Sequence, residues 1–158
     1  MGFYKNNYHI HLEDDTIPGK DCLKFLEWAG NTYENDSQIF SVTSYVNSSN
    51  KTEHYIEKNL NINKVSRRNW FTPWGWATWR DRFEYIKRNW TNTGWDNTIN
   101  DITRKNRYEI YPSVSRVQNI GAEMGVHVPD ADWHKKNQYN EWWIESIKKY
   151  NMNEFYEI

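Results

Sequence analysis

Apolar positions along the chain switch between two spacings. Tyr8, Ile10 and Leu12 alternate with polar residues, the period-two pattern of a half-buried strand, and this strand runs directly into Glu13-Asp14-Asp15. Ile17-Pro18-Gly19 reads as a turn. From Asp21, a residue suited to cap a helix, the spacing becomes helical. Cys22, Leu23, Phe25, Leu26 and Ala29 form an apolar stripe that ends at Gly30-Asn31 or one turn later at Tyr33. Residues 38–46 (QIFSVTSYV) are β-branched and aromatic and predict a second strand, and residues 47–53 (NSSNKTE) predict a polar loop.

Residues 65–79 (VSRRNWFTPWGWATW) have no single period. Pro73 and Gly75 place the aromatic residues there on a shaped loop. A helix is predicted from Thr78 to Arg88, with Trp79, Phe83 and Ile86 on its apolar side, and another from Thr98 to Lys105. Tyr108-Glu109-Ile110-Tyr111 is a strand ended by Pro112, and residues 113–137 are loop-rich. A closing helix from Glu141 to Tyr150 carries Trp142, Trp143, Ile144 and Ile147. Strands and helices alternate without repeat or linker, which predicts an α/β layer formed as one domain over residues 1–158.

Charge removes several function classes. With 20 basic and 21 acidic residues, the net charge of -1 gives no field that would draw the chain to nucleic acid or anionic lipid. No apolar run approaches a membrane span, and residues 1–15 contain no apolar signal region, so a cytoplasmic location is the default expectation. Cys22 stands alone, which rules out an intramolecular disulfide and a cysteine metal cluster. Asn-x-Ser/Thr triplets at Asn35, Asn47, Asn50 and Asn89 are what an Asn-rich chain produces by chance. Aromatic residues make up 17% of the chain, with 10 Trp, more than a core of this size holds. Some Trp therefore belong at a pocket or interface, where indole faces suit the apolar faces of sugar rings; large core fillers are the other reading.

The candidate chemistry lies in the acidic triplet. Consecutive carboxylates at the end of a strand put hard oxygen ligands at the sheet edge where open α/β folds bind ligands. Such oxygens suit Mn2+ or Mg2+, which bridges phosphates and neutralises a departing diphosphate. Alone the triplet is weak, because acidic triplets are commonly solvated turns.

Residues 11–18 (HLEDDTIP), with the helix through Leu23 and Phe25, resemble the metal-binding strand of glycosyltransferases with the GT-A fold, where a DxD-like acidic motif precedes a Pro and a helix. Residues 39–43 (IFSVT) are similar to that family's next core strand. Trp74-Gly75-Trp76-Ala77-Thr78-Trp79 resembles its GWATW segment, Gly94-Trp95-Asp96 a later Trp-Asp segment, and residues 111–121 through His127 a stretch near its C-terminus. The five matches occur in family order across roughly residues 8–130, far more specific together than any one alone. The resemblance implies a partial GT-A-like mixed sheet flanked by helices, acting on a nucleotide sugar and a glycan or lipid-linked acceptor.

Roles then follow by position. Asp15 is implied as the direct metal ligand, with Glu13 and Asp14 holding sugar hydroxyls or orienting it. His127 is implied as a further ligand or diphosphate contact, its other reading being structural. Asp96 is implied as the general base for the acceptor hydroxyl, as in inverting members, or else as a helix cap. Trp74 and Trp76 are implied to shape the sugar pocket around Gly75, or to pack the core, and Arg116 and Asn119 to contact phosphate or fix their loop. Family enzymes carry a nucleotide-binding half before the acidic motif, whereas 12 residues precede Glu13 here. That departure leaves open a homo-oligomer or a partner chain that supplies the missing half, since missing strands would bare a sheet edge. It also leaves open a non-catalytic carbohydrate-binding or subunit-interaction module. A hydrolase using Glu13 and Asp96 would need their carboxyls about 5 to 9 Å apart.

Overall fold

The computed structural model of the protein describes residues 5–46, 63–91, 94–121, 130–137 and 156–157. Its centre is a mixed sheet of six strands. In chain order these are β1 (Tyr8–His11), β3 (Ile39–Thr43), β4 (Lys64–Arg68), β5 (Trp76–Trp79), β6 (Tyr108–Pro112) and β8 (Tyr156–Glu157). They lie side by side as β1-β5-β3-β6-β4-β8, with β3 and β6 parallel and β5 antiparallel to both β1 and β3. A separate two-stranded ribbon joins β2 (Thr16–Pro18) to β7 (Val117–Asn119).

Helices cover the sheet because their apolar stripes match it. α1 (Cys22–Tyr33) buries Cys22, Phe25, Leu26, Ala29, Gly30 and Tyr33, spacings of three and four that make one continuous face. That face packs with Ile39, Val42, Ala77, Trp79, Ile110 and Val117 in the larger core. A bulge in β3 between Ile39 and Ser41 turns Ile39 and Val42, three residues apart, toward this same core. In β5, Trp76 faces the other way from Ala77. It joins Phe40 and Phe71 with Ile86 of α2 (Arg80–Arg88) and Ile99 of a π-helical turn (Ile99–Thr103). That turn continues α3 (Trp95–Thr98).

Arg82 ties the layers together. Its guanidinium lies 3.9 Å over the Trp79 ring and donates to the carbonyls of Tyr33, Glu34 and Asp36, adding to the backbone hydrogen bonds that close the C-terminal end of α1.

Several local expectations are corrected. Residues 76–79 form a strand of the central sheet rather than loop or helix start, because Gly75 at φ +58° completes the turn just before them and Trp-Ala-Thr-Trp suits the pleat. The turn expected at Ile17-Pro18 is instead β2, paired with Val117 and Gln118. The loop-rich stretch contains β7 and a short helix, α4 (Ala131–Asn137). Asp21 makes no side-chain cap, since its carboxylate is held by Arg116 at 3.1 Å. The loop predicted at residues 47–53 and the helix predicted from Glu141 to Tyr150 lie outside the described residues. No helix among the described residues is long and apolar enough to cross a membrane.

Candidate active site

After β1 ends at His11, the chain leaves the sheet and turns through Glu13-Asp14-Asp15 before β2 begins. The turn is closed locally, as the Thr16 hydroxyl (2.7 Å) and its backbone N–H (3.2 Å) both donate to the Glu13 carbonyl. It is also closed from a distance. Thr16 pairs with Asn119 across the ribbon, and the Ile120 N–H donates to the Asp15 carbonyl at 2.7 Å. The backbone of Asp15 is thus fixed against the end of β7.

Its carboxylate is placed by the same strand end. The Asn119 side-chain amide donates to Asp15 Oδ2 at 3.4 Å, while Asn119 Oδ1 accepts from the Gly121 N–H at 2.9 Å and faces His134 Nε2 at 2.9 Å. This arrangement sets the tautomer, with Nε2 carrying the proton that His134 donates. Burial holds His134 below the usual imidazole range, against the opposing pull of the Asp15 charge. Gly121 leaves room for this carboxylate, because a Cβ there would fall 2.6 Å from Asp15 Oδ2 and force it to shift. The other oxygen, Asp15 Oδ1, is shielded from solvent and has no hydrogen-bond partner among the described residues.

Negative charge concentrates around this point. Burial pushes the Glu13 carboxyl up to about 7, reinforced by the charges of Asp15, Asp14 and Asp96. Asp96, in the first turn of α3, therefore shares one patch of potential with the triplet although 83 to 81 residues separate it from Glu13 to Asp15 in sequence. Asp14 is exposed. Gly94, in the left-handed region at φ +62°, holds the N-cap position of α3 that was the alternative reading of Asp96.

Trp76 is buried against Phe71 (5.0 Å) and Trp95 (6.3 Å), with the His11 ring 6.1 Å away. Trp74 is half-buried and meets Tyr45 edge-on at 4.7 Å. Gly75 is buried, and its missing Cβ leaves room for Val117. Arg116 does not face the triplet. It is buried in an ion pair with Asp21 and donates to the Val114 carbonyl at 2.7 Å, whereas Asn119, three residues on, turns toward Asp15. His127 lies outside the described residues. The imidazole beside Asp15 belongs to His134, which no motif singled out; the one available signal was Asp130, whose carboxylate accepts from the Trp133 N–H at 2.7 Å as a helix cap. A shallow apolar groove lined by Tyr8, Ile10, Leu23, Gly30 and Trp79 lies between β1 and α1, and none of the acidic cluster lines it.

Among the described residues, no three His, Cys, Asp or Glu side chains converge as a ligand set. Asp15 instead offers a single unsatisfied oxygen, which suits a small hard cation that takes one or two carboxylates and completes its shell with substrate phosphates.

No curated protein matches the chain. The model of the GNT-I family matches residues 2–149. That family is GT-A-like, generally metal-dependent, and its activity implies a nucleotide sugar and a glycan acceptor. The mixed sheet flanked by helices agrees with it. On a match of this length, the chain belongs to the GNT-I family of glycosyltransferases.

Proposed function

We propose that the protein transfers N-acetylglucosamine from a nucleoside-diphosphate sugar to a hydroxyl of a glycan or lipid-linked acceptor, with inversion, assisted by Mn2+ or Mg2+ at Asp15. The observation that carries this reading is the shielded Asp15 oxygen, which no donor among the described residues meets, in an acidic turn whose Glu13 also feels the charge of Asp96 on another element. The cation would neutralise charge on the departing diphosphate. The chain's own residues do the rest. Asn119 and Gly121 orient the Asp15 carboxylate, and His134 fixes Asn119. Glu13 hydrogen-bonds a sugar or ribose hydroxyl, as acceptor when ionised and as donor when burial keeps its proton. Asp96 takes the proton of the acceptor hydroxyl as that oxygen bonds to the anomeric carbon and the bond to the diphosphate breaks.

Release of nucleoside diphosphate from UDP-N-acetylglucosamine, measured with Mn2+ and a panel of oligosaccharide acceptors, tests the reading. Acceptor-dependent release is expected in the wild type. It should be lost in Asp96→Asn, which still binds the donor. Wild-type transfer by both Asp96→Asn and Asp15→Asn would overturn it.

A further inference from the structure

The aromatic cluster behind the site does not stop at the core. Trp95 stacks on Trp90, with ring centroids 5.6 Å apart and planes 15° from parallel. Trp95 in turn lies 6.0 Å from Phe71 and 6.3 Å from Trp76. Burial falls steadily along this row. Trp76 is 7% exposed, Trp95 is half-buried and Trp90 is 51% exposed. Exposure alone is ordinary for a single aromatic ring, and what distinguishes Trp90 is that it forms the open end of a stacked aromatic row.

The exposed ring is also held in place. Trp90 follows the last turn of α2, where the Asn89 N–H donates to the Ile86 carbonyl at 3.1 Å. On its other side the hydroxyls of Thr91 and Thr98 are 2.8 Å apart, which ties the following residue to α3. The flat stack on Trp95 fixes the ring between these anchors. Its flanking side chains, Asn89 and Thr91, are neutral hydrogen-bonding groups.

We infer that Trp90, backed by Trp95, is an acceptor subsite that stacks against one face of a hexopyranose ring. The inference rests on the transferase reading for the ring's role as acceptor, but not for its binding. The C–H bonds on one face of a pyranose carry partial positive charge and meet the negative face of an indole, while the ring hydroxyls project sideways to polar neighbours. Trp95 is followed directly by Asp96, so the platform and the proposed base leave the same turn of α3. Trp90 is then a specificity-determining residue, separate from the reacting groups.

The test uses the full chain with 15N-labelled tryptophan and reads the indole N–H signals, without metal or nucleotide. The Trp90 signal is assigned by its loss in Trp90→Phe. Methyl β-N-acetylglucosaminide, methyl β-galactoside and methyl α-mannoside are titrated separately, with an aliphatic alcohol as control. At least one glycoside should move the Trp90 signal and the alcohol should not. Trp90→Leu keeps apolar bulk but removes the π face, and it should raise the acceptor KM up to about tenfold with kcat and donor KM unchanged. Trp90→Phe should restore most of the loss. Silence of the Trp90 signal to every glycoside, or an unchanged acceptor KM in Trp90→Leu, overturns the platform. The two readings fail separately. Glycoside shifts that persist in a chain unable to transfer would sink the transferase reading alone, and transfer with an unchanged acceptor KM in Trp90→Leu would sink the platform alone.

Discussion

Glu109 and Asp15 are both carboxylates drawn in from solvent, and their surroundings are opposite. Glu109, on β6, is fully buried and completely met. Arg68 Nε donates to one oxygen at 2.7 Å, joined by the Thr72 hydroxyl at 3.2 Å, and the Thr72 N–H donates to the other at 2.5 Å. Asp15 has one amide at 3.4 Å and one oxygen with nothing, and no Lys or Arg pairs with it among the described residues. A carboxylate whose two oxygens are both met by protein donors locks elements together, and here it locks β4 to β6. A carboxylate that the fold orients and leaves unmatched among the described residues is the kind of group the proposed cation would meet. Burial alone does not distinguish the two cases; satisfaction does.

The largest expected effect is on the satisfied side. Arg68→Ala strands the buried Glu109 charge and should cost about 3–5 kcal/mol of stability at pH 8, read by urea unfolding. At pH 5 the cost should shrink, because the carboxyl can then take a proton. The wild type should show the same titration in milder form. Burial raises Glu109 to about 7 from an ordinary value near 4.5, so the folded state binds more protons in that window. Its contribution is fully present below about pH 4.5 and is lost as pH rises through about 7, and Glu109→Gln should remove that component from the pH profile. A loss of transfer per folded molecule in Arg68→Ala would break the comparison by giving Glu109 a part in the site.

Smaller effects are expected on the open side. Gly121→Ala pushes a Cβ into Asp15 Oδ2 and should lower kcat about tenfold while leaving unfolding within about 1 kcal/mol of wild type. His134→Phe removes one of the two partners of Asn119 Oδ1, leaving the Gly121 N–H, and should weaken transfer a few-fold, with about 1 kcal/mol lost from stability. An unchanged kcat in both would mean that the placement of the Asp15 carboxylate has no bearing on activity.

What the sequence disclosed follows from how local each signal is. The strand at Tyr8, the acidic triplet and most of the stripe of α1 are written in adjacent residues and were readable as such, although Leu23, counted in that stripe, is 56% exposed. The partners of the triplet were not. Asn119 lies 104 residues from Asp15, and β2 and β7 are each three residues long, too short for a period to show. The strand at Trp76 was hidden because Pro73 and Gly75 sit just before it and read as a continuing loop. Arg116 and Asn119 belong to one motif-like stretch, yet one turns into the core toward Asp21 and the other toward Asp15. Only the register of the β2–β7 ribbon decides which does which. Trp90 carried no pattern at all, since its significance depends on Trp95 folding back beneath it.

The central claim is that the unmatched oxygen of Asp15 is where a divalent cation and the donor diphosphate meet. Paramagnetic broadening tests it most directly. Amide signals of Asn119, Ile120 and Gly121, which surround Asp15, are followed as Mn2+ and UDP-N-acetylglucosamine are added. These signals should broaden in the wild type and stay sharp in Asp15→Asn, with the variant's unfolding curve little changed. Broadening centred elsewhere, or equal broadening in Asp15→Asn, would contradict the assignment.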